Sequence, residues 1–118
     1  MPGTPTPIRL YQGQPAAAVA TIYTAPPYTA TVTAGATAIV KTAVLCNTSA
    51  AAATVTLYLV PSGGATGAAT AILNSYSVAA GATVLLDLEQ YLEAGDFLAA
   101  LQGTAASLTV TISGVTIQ

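Results

Sequence analysis

The sequence predicts an all-β fold: a single β-sandwich, jelly-roll-like, with about eight short antiparallel strands. Segments rich in Val, Ile, Thr and Tyr recur along the chain, and Gly, Pro or Ala-rich turn signals separate them. No segment carries a sustained apolar period of 3.6 residues, so no helix is expected. A chain of 118 residues is long enough for one domain with a core that needs no disulfide. We expect a β-sandwich domain over residues 16–118, preceded by an extended N-terminal arm over residues 1–15.

The N-terminal segment is rich in proline. Four of the seven prolines in the chain fall within residues 1–15. Because proline fixes φ and lacks an N–H group, this segment favours an extended, polyproline-like conformation. It is either a frayed terminus or an arm that docks on a neighbouring subunit through Ile8, Leu10 and Tyr11.

The strands follow in chain order. The alternation of apolar and polar residues, with the flanking turn residues, predicts strands over residues 16–24, 28–33, 37–48, 53–61, 72–78, 83–88, 96–102 and 107–117. The third and fourth of these are expected to form a central pair, joined by the short turn at residues 48–52. Residues 89–95 could form one helical turn. In the last strand the alternation slips after Ile112, which predicts a β-bulge at Ser113 and Gly114.

Composition restricts the partners of the chain. Only 5% of its residues are charged and the net charge is −2, with Arg9 and Lys41 as the basic residues. There is no basic patch to follow a phosphate backbone, so nucleic-acid binding is not expected. No apolar run is long enough for a membrane helix, and no secretory signal is recognisable, so we expect a soluble protein made in the cytoplasm. A weakly charged surface favours self-association, so we expect a homo-oligomer.

The sequence offers little chemistry. It contains no histidine, the commonest general base and zinc ligand. The glycine-rich residues 63–67 lack the lysine of a phosphate-binding loop and favour a hairpin loop instead. Cys46 lies in an apolar strand, where a buried, inert thiol is favoured over a reactive one. We expect no catalytic residue, cofactor or metal.

Two further features leave alternatives open. The four acidic residues, Asp87, Glu89, Glu93 and Asp96, fall within ten positions. They form a solvated loop or, as the alternatives, a Ca²⁺ site or a pair of carboxylates for glycoside hydrolysis. Tyr23 and Tyr28, with Tyr11, are candidates for subunit contacts because tyrosine combines apolar area with a polar tip. The alternative for each tyrosine is packing within one subunit.

Several runs resemble small virion structural proteins of tailed bacteriophages. The similar runs are IYTAP at residues 22–26, VKTAVLCNTS at 40–49 and VTLYLVPSGG at 55–64, followed by Leu88, Leu92, Ala94-Gly95-Asp96, Leu98 and Ala99. The resemblance covers about residues 20–117 and leaves out the proline-rich start. It implies a non-enzymatic β-sandwich subunit of a capsid, neck or tail, located in the virion and often trimeric. The implied partners are further copies of the chain and the phage major capsid protein or other virion proteins.

The first expectation for function is a capsid decoration, or cement, protein. The first alternative is a neck or tail fibre or collar subunit. The second alternative is a carbohydrate-binding adhesin module, which could use Ca²⁺ through the acidic segment.

Overall fold

The computed structural model describes residues 5–25, 37–104 and 106–117. These residues form eight β-strands, one 3₁₀ turn at Ala68–Thr70 and no α-helix, which confirms the predicted all-β class. No helix in the described ranges has the length and apolar character needed to cross a membrane. The strands are β1 (Pro5–Gly13), β2 (Ala20–Thr24), β3 (Thr37–Asn47), β4 (Ala53–Val60), β5 (Ala71–Val78), β6 (Thr83–Leu92), β7 (Phe97–Gln102) and β8 (Leu108–Ile117).

The strands form two antiparallel sheets of four. Sheet I has the order β1-β8-β3-β6, and sheet II has the order β2-β7-β4-β5. The first strand therefore pairs with the last, and the antiparallel pairing continues inward along the chain, with β1 on β8, β2 on β7, β3 on β6 and β4 on β5. This winding of eight strands into two facing sheets is the jelly-roll topology.

The core lies between the two sheets. Its fully buried side chains are mostly branched aliphatic residues of the central strands β3, β4, β7 and β8. The largest are Leu45, Leu57, Leu92, Leu98, Leu108, Ile112, Val40, Val55, Val60, Val78 and Val110. Burial of these side chains is the main favourable contribution to folding, at roughly 1.5–3 kcal/mol for each large residue.

The central pair differs from the sequence-based expectation. β3 belongs to sheet I and β4 to sheet II, so residues 48–52 cross from one sheet to the other instead of closing a hairpin. The buried side chain of Asn47 holds this corner: its Nδ2 donates to the carbonyl oxygens of Ala51 (2.8 Å) and Val78 (2.9 Å). Alternation identified both strands, but it cannot tell whether two apolar faces lie side by side or pack across a core.

Three local predictions have different outcomes. Residues 89–95 do not form a helical turn, because β6 continues to Leu92 with a left-handed residue, Glu89, at φ 47°. The predicted strand over 28–33 lies outside the described residues. The glycine-rich segment is a loop between the paired strands β4 and β5, as expected.

The proline-rich segment takes a place in the sandwich. Its described part, β1, pairs antiparallel with β8 of the same chain, from Pro5 opposite Ile117 to Gly13 opposite Val110. Prolines are tolerated in an edge strand, where the missing N–H would face solvent. The segment is thus extended, as predicted, but in the described residues it is the edge strand of sheet I and not an arm separate from the domain.

Candidate assembly surface

The solvent-facing side of sheet I has one row of apolar side chains that crosses all four strands. Residues paired across neighbouring strands project from the same face of a sheet, so the strand registers define this row. The row consists of Pro7, Val115, Ile39 and Tyr91, from β1 to β6. Tyr91 is 54% exposed, and Ile39 and Val115 are half-buried. We call this side of sheet I the outer face.

A second apolar contribution lies further along the strands. Gln12, Thr111, Val44 and Leu85 form a parallel row, and Leu85 is 66% exposed. Leu85 and Tyr91 are the large hydrophobic side chains exposed on this face in the described residues. Exposed apolar side chains grouped on one sheet face indicate a surface that contacts another molecule. The outer face is therefore the candidate assembly surface of the chain.

A charged row lies between these two apolar rows. Arg9, Ser113, Thr42 and Asp87 are paired across the sheet from β1 to β6. Arg9 is at one edge and Asp87 at the opposite edge, three strand spacings or about 14 Å away. Arg9 Nη1 donates to Gln12 Oε1 at 2.8 Å, and no carboxylate in the described part of the chain pairs with Arg9.

Bulges bring two more charges to the same level of the sheet. The β3 register shifts at Lys41, and the β6 register shifts beside Glu89. Lys41 Nζ lies 3.5 Å from Glu89 Oε1, and both side chains are largely exposed. Four of the six charged residues of the chain therefore lie in one band across the middle of sheet I.

The sequence predicts a bulge in β8, but the bulges lie in the two strands that pair with β8, namely β1 and β3. β8 keeps its alternation through Gly114, which is buried, while β1 bulges at Leu10 and β3 at Lys41. At the same level the backbones of β8 and β3 approach closely, and a Cβ added to Gly114 would overlap the carbonyl oxygen of Ile39. The parity slip in the sequence marked the correct level of the sheet but the wrong strand.

The residues predicted to contact another subunit do not form one surface. Leu10 is 7% exposed and belongs to the core, and Ile8 is 38% exposed at the sheet edge. Tyr11 in β1 and Tyr23 in β2 are half-buried and pack against the core from different sheets. Tyr28 lies outside the described residues. Contact of these residues with a neighbouring subunit stays a prediction.

The environments of the two described tyrosines alter their acidity. Partial burial removes water from the phenol groups of Tyr11 and Tyr23 and raises the pKa of each above its ordinary value, because the charged phenolate is disfavoured. Both side chains pack against the core.

The acidic residues separate into two groups. Asp87 and Glu89 belong to β6 and the charged band, whereas Glu93 and Asp96 belong to the turn between β6 and β7. The Asp96 carboxylate accepts from the backbone N–H of Ser62 (2.9 Å) and of Glu93 (3.0 Å). Within the described ranges no three acidic, histidine or cysteine side chains converge as metal ligands would. The geometry favours a structural role for Asp96.

Asn47 and Gln102 are structural residues that the sequence did not single out. Gln102 is fully buried; its Oε1 accepts from the N–H groups of Ser107 and Leu108, and its Nε2 donates to the carbonyl of Pro15. Asn47 begins an N-glycosylation pattern in sequence, but its side chain is 1% exposed and bonded within the corner between the sheets. Polar residues at strand ends gave no signal that distinguishes such anchors from surface residues.

Cys46 lies in the outer face. It is a free, half-buried thiol paired with Thr83 on β6 and Thr109 on β8. The strand placement agrees with the expectation, but the burial is partial.

Comparisons with known proteins give the fold and no family. No protein-family model matches the chain, and no curated protein matches it. A chain in the structure of infectious bursal disease virus, Gx strain, superposes with a TM-score of 0.55 at 15% identity and covers 99% of this chain. A chain from the T13 particle of the same virus has a TM-score of 0.53 at 11% identity and covers 97%.

A third similar structure is not viral. A chain of Bacillus endospore appendages, described as disulfide-linked pili, has a TM-score of 0.53 at 23% identity and covers 98% of this chain. This chain spans 89% of the length of the appendage chain, but only 31% and 30% of the two viral chains. The described residues thus form a jelly-roll sandwich whose fold is similar to those of chains in a virus particle and in a Bacillus endospore appendage.

Proposed function

We propose that this chain is a non-enzymatic structural subunit of a virion, and specifically a capsid decoration protein of a tailed bacteriophage. The single observation that carries the proposal is the outer face of sheet I, where apolar side chains that include the exposed Leu85 and Tyr91 flank a charged band, on a jelly roll that offers no catalytic cluster in its described residues. The topology shared with chains of a virus particle supports it. The resemblance of residues 20–117 to small tailed-phage virion proteins supplies the phage assignment.

The proposed mechanism is the addition of buried surface to a shell. The subunit is rigid because its two sheets share one aliphatic core, and it is weakly charged, so copies can approach without strong repulsion. We propose that copies associate, as trimers in the arrangement that the resemblance implies, and contact the major capsid protein. The proline-rich segment, whose described part is mostly exposed along the β1 edge, is our proposal for that contact. A few hundred Å² of buried apolar area would contribute several kcal/mol per subunit before ordering costs.

A second candidate function is a subunit of a fibrous appendage. The observation that favours it is the match along 89% of the endospore appendage chain. A phage neck or tail fibre or collar would be a related arrangement. Disulfide linkage along a fibre is not supported here, because one cysteine per chain can join only two copies.

A carbohydrate-binding adhesin module is a third candidate. It would use the acidic segment and Ca²⁺, but the Asp96 carboxylate is already engaged by two backbone N–H groups. This candidate has the least support in the geometry.

Copy number in purified particles tests the proposal. Quantitative mass spectrometry against the major capsid protein should give a ratio near one to one, or a simple fraction of it, for a decoration protein. Tens of copies per particle would favour the neck or tail, and a fibre preparation enriched in the chain would favour the appendage. Absence from particles would overturn the virion assignment.

A further inference from the structure

We propose that the outer face of sheet I packs on the same face of a second copy, about a two-fold axis parallel to the strands. This inference deepens the proposed function, on which it rests, because it names a surface by which two copies associate. A two-fold contact joins two subunits, so it is separate from the trimer contact proposed above, to which no surface is assigned. The occupant is a second copy because the face is complementary to itself, as the cross-strand rows show.

The charges determine the direction of the axis. In the middle row Arg9 is at the β1 edge and Asp87 at the β6 edge. A two-fold axis in the plane of the face and parallel to the strands places β1 of one copy over β6 of the other. Arg9 then faces the partner's Asp87, and the contact occurs twice. A two-fold axis perpendicular to the strands would instead place each charged residue over the same residue of the second copy. Repulsion between like charges disfavours that arrangement.

The same operation matches the apolar rows. Each row stays at its own level along the strands, because rotation about this axis exchanges left and right only. Pro7 then lies over Tyr91 of the second copy, and Val115 over Ile39. In the second row each apolar side chain lies over a polar one: Val44 of β3 lies over Thr111 of β8, and Leu85 over Gln12. Thus one rotation satisfies the charged row and covers the most exposed apolar side chains of the sheet.

The charge band adds to this complementarity. Glu89 lies at the β6 edge beside Asp87, so it also approaches the Arg9 side of the second copy. Lys41 is already paired with Glu89 in its own chain. The band of four charges is neutral as a whole, so two faces in contact bury no net charge.

The area is sufficient for a specific contact. Four strands spaced about 4.8 Å apart, with about nine residues rising 3.3 Å each, give a face of roughly 570 Å² in projection. Two such faces bury at least about 1,100 Å² of accessible surface, since side chains add to the projected area. This value reaches the lower limit of about 1,000 Å² for specific interfaces.

Charge exchange between copies tests the proposal. Arg9→Glu and Asp87→Arg are made separately in the full chain, and the mass of each is measured by light scattering and sedimentation equilibrium. Either variant alone places like charges opposite each other, so we expect the dissociation constant of self-association to rise at least about tenfold. An equimolar mixture of the two variants restores opposite charges at both contacts and should restore the wild-type mass.

A matched control uses the same charge change elsewhere. Glu93→Arg alters the net charge as Asp87→Arg does, but Glu93 lies in the exposed turn between β6 and β7. The Glu93→Arg variant should therefore associate to the same mass as the wild type. The double variant Arg9→Glu/Asp87→Arg should also associate as the wild type does. Circular dichroism checks that each variant is folded.

Three results would overturn the inference: a wild type that stays a single copy, single variants that associate normally, or a mixture that does not recover. These measurements use the purified chain alone. A chain that pairs through this face but is missing from particles would refute only the proposed function, and one that is present in particles but does not pair would refute only this inference.

Discussion

Gly114 of β8 lies directly against the carbonyl oxygen of Ile39 on β3. An added Cβ would lie 2.0 Å from that oxygen and 3.3 Å from Leu10 Cδ1. At this level β1 and β3 bulge on either side of β8, while β8 remains regular. Arg9 and the Lys41–Glu89 pair lie beside these bulges on the outer face. Gly114 therefore lies at the level where the charges cross the sheet.

Gly114→Ala should lower the free energy of unfolding by about 3 kcal/mol or more, because the added methyl group meets backbone atoms that cannot rotate away. Denaturant unfolding of the purified chain measures this loss. Gly67→Ala is the matched control: its Cβ would meet nothing within 4 Å and its φ of 173° is ordinary extended backbone. The control should change stability by less than about 1 kcal/mol. Equal stability of the two variants would contradict the contact.

Asn47→Ala should cost about 3 kcal/mol. The side chain of Asn47 donates to Ala51 and Val78 and accepts from the N–H (2.9 Å) and hydroxyl (2.7 Å) of Ser49. Truncation leaves these groups without their partners in a buried corner, and unsatisfied buried groups are costly. Chemical denaturation compares Asn47→Ala with Asn74→Ala, a change at an exposed asparagine that should stay within about 0.5 kcal/mol.

Asn47→Asp removes the hydrogen-bond donor of the side chain while it keeps the side-chain volume nearly unchanged. A carboxylate only accepts hydrogen bonds, so it would face the carbonyl oxygens of Ala51 and Val78 with no donor. We expect Asn47→Asp to be less stable than Asn47→Ala at neutral pH and to recover part of the difference in acid, where a protonated carboxyl can donate. A variant as stable as the wild type at neutral pH would contradict the assigned orientation of the Asn47 amide.

The sequence predicts where the strands lie, but it does not predict which strands are neighbours in a sheet. Alternation located seven of the described strands, and turn residues bounded them, because side-chain period and backbone freedom are local properties. The first described strand, β1, was instead predicted as an arm, since its prolines suppress the strand signal. Whether β3 and β4 share a sheet depends on long-range packing, which no local pattern encodes.

The candidate surface could be predicted only in part. Leu85 lies in the strand predicted over residues 83–88, whereas Tyr91 follows from alternation only once β6 is known to extend to Leu92, because residues 89–95 could equally form one helical turn. The row that joins Arg9 to Asp87 required the strand order and three registers. The sequence separation of these two residues gives no indication that they lie at one level of one sheet.

Asp96→Asn should cost about 1–2 kcal/mol. The two carboxylate oxygens of Asp96 accept separate backbone N–H groups, from Ser62 and Glu93, and an amide can replace only one of these acceptors. Glu93→Gln is the control, since the Glu93 side chain is exposed, and it should change stability by less than about 0.5 kcal/mol. Thermal unfolding of both variants measures the difference.

Calcium should not stabilise the chain. Because Asp96 is engaged by the backbone and lies in a different segment from Asp87 and Glu89, the acids do not converge on one ion. The midpoint of thermal unfolding should therefore be the same in excess CaCl₂ and in EDTA. A Ca²⁺-dependent rise of several degrees that is lost in Asp96→Asn would revive the metal-dependent adhesin candidate.

The half-buried tyrosines predict how stability changes in alkali. Desolvation raises the pKa of Tyr11 and of Tyr23 in the folded chain, while in the unfolded chain each titrates near its ordinary value of about 10. Between these values the folded state retains protons that the unfolded state has lost, so the free energy of unfolding falls as pH rises. The stabilising contribution is complete below about pH 10 and is lost as pH rises through the higher folded-state pKa.

The double variant Tyr11→Phe/Tyr23→Phe, unfolded in denaturant from pH 8 to pH 11, should show a shallower decline in the free energy of unfolding than the wild type. A double variant with an unchanged slope would contradict the assignment of the alkaline transition to the core-edge tyrosines.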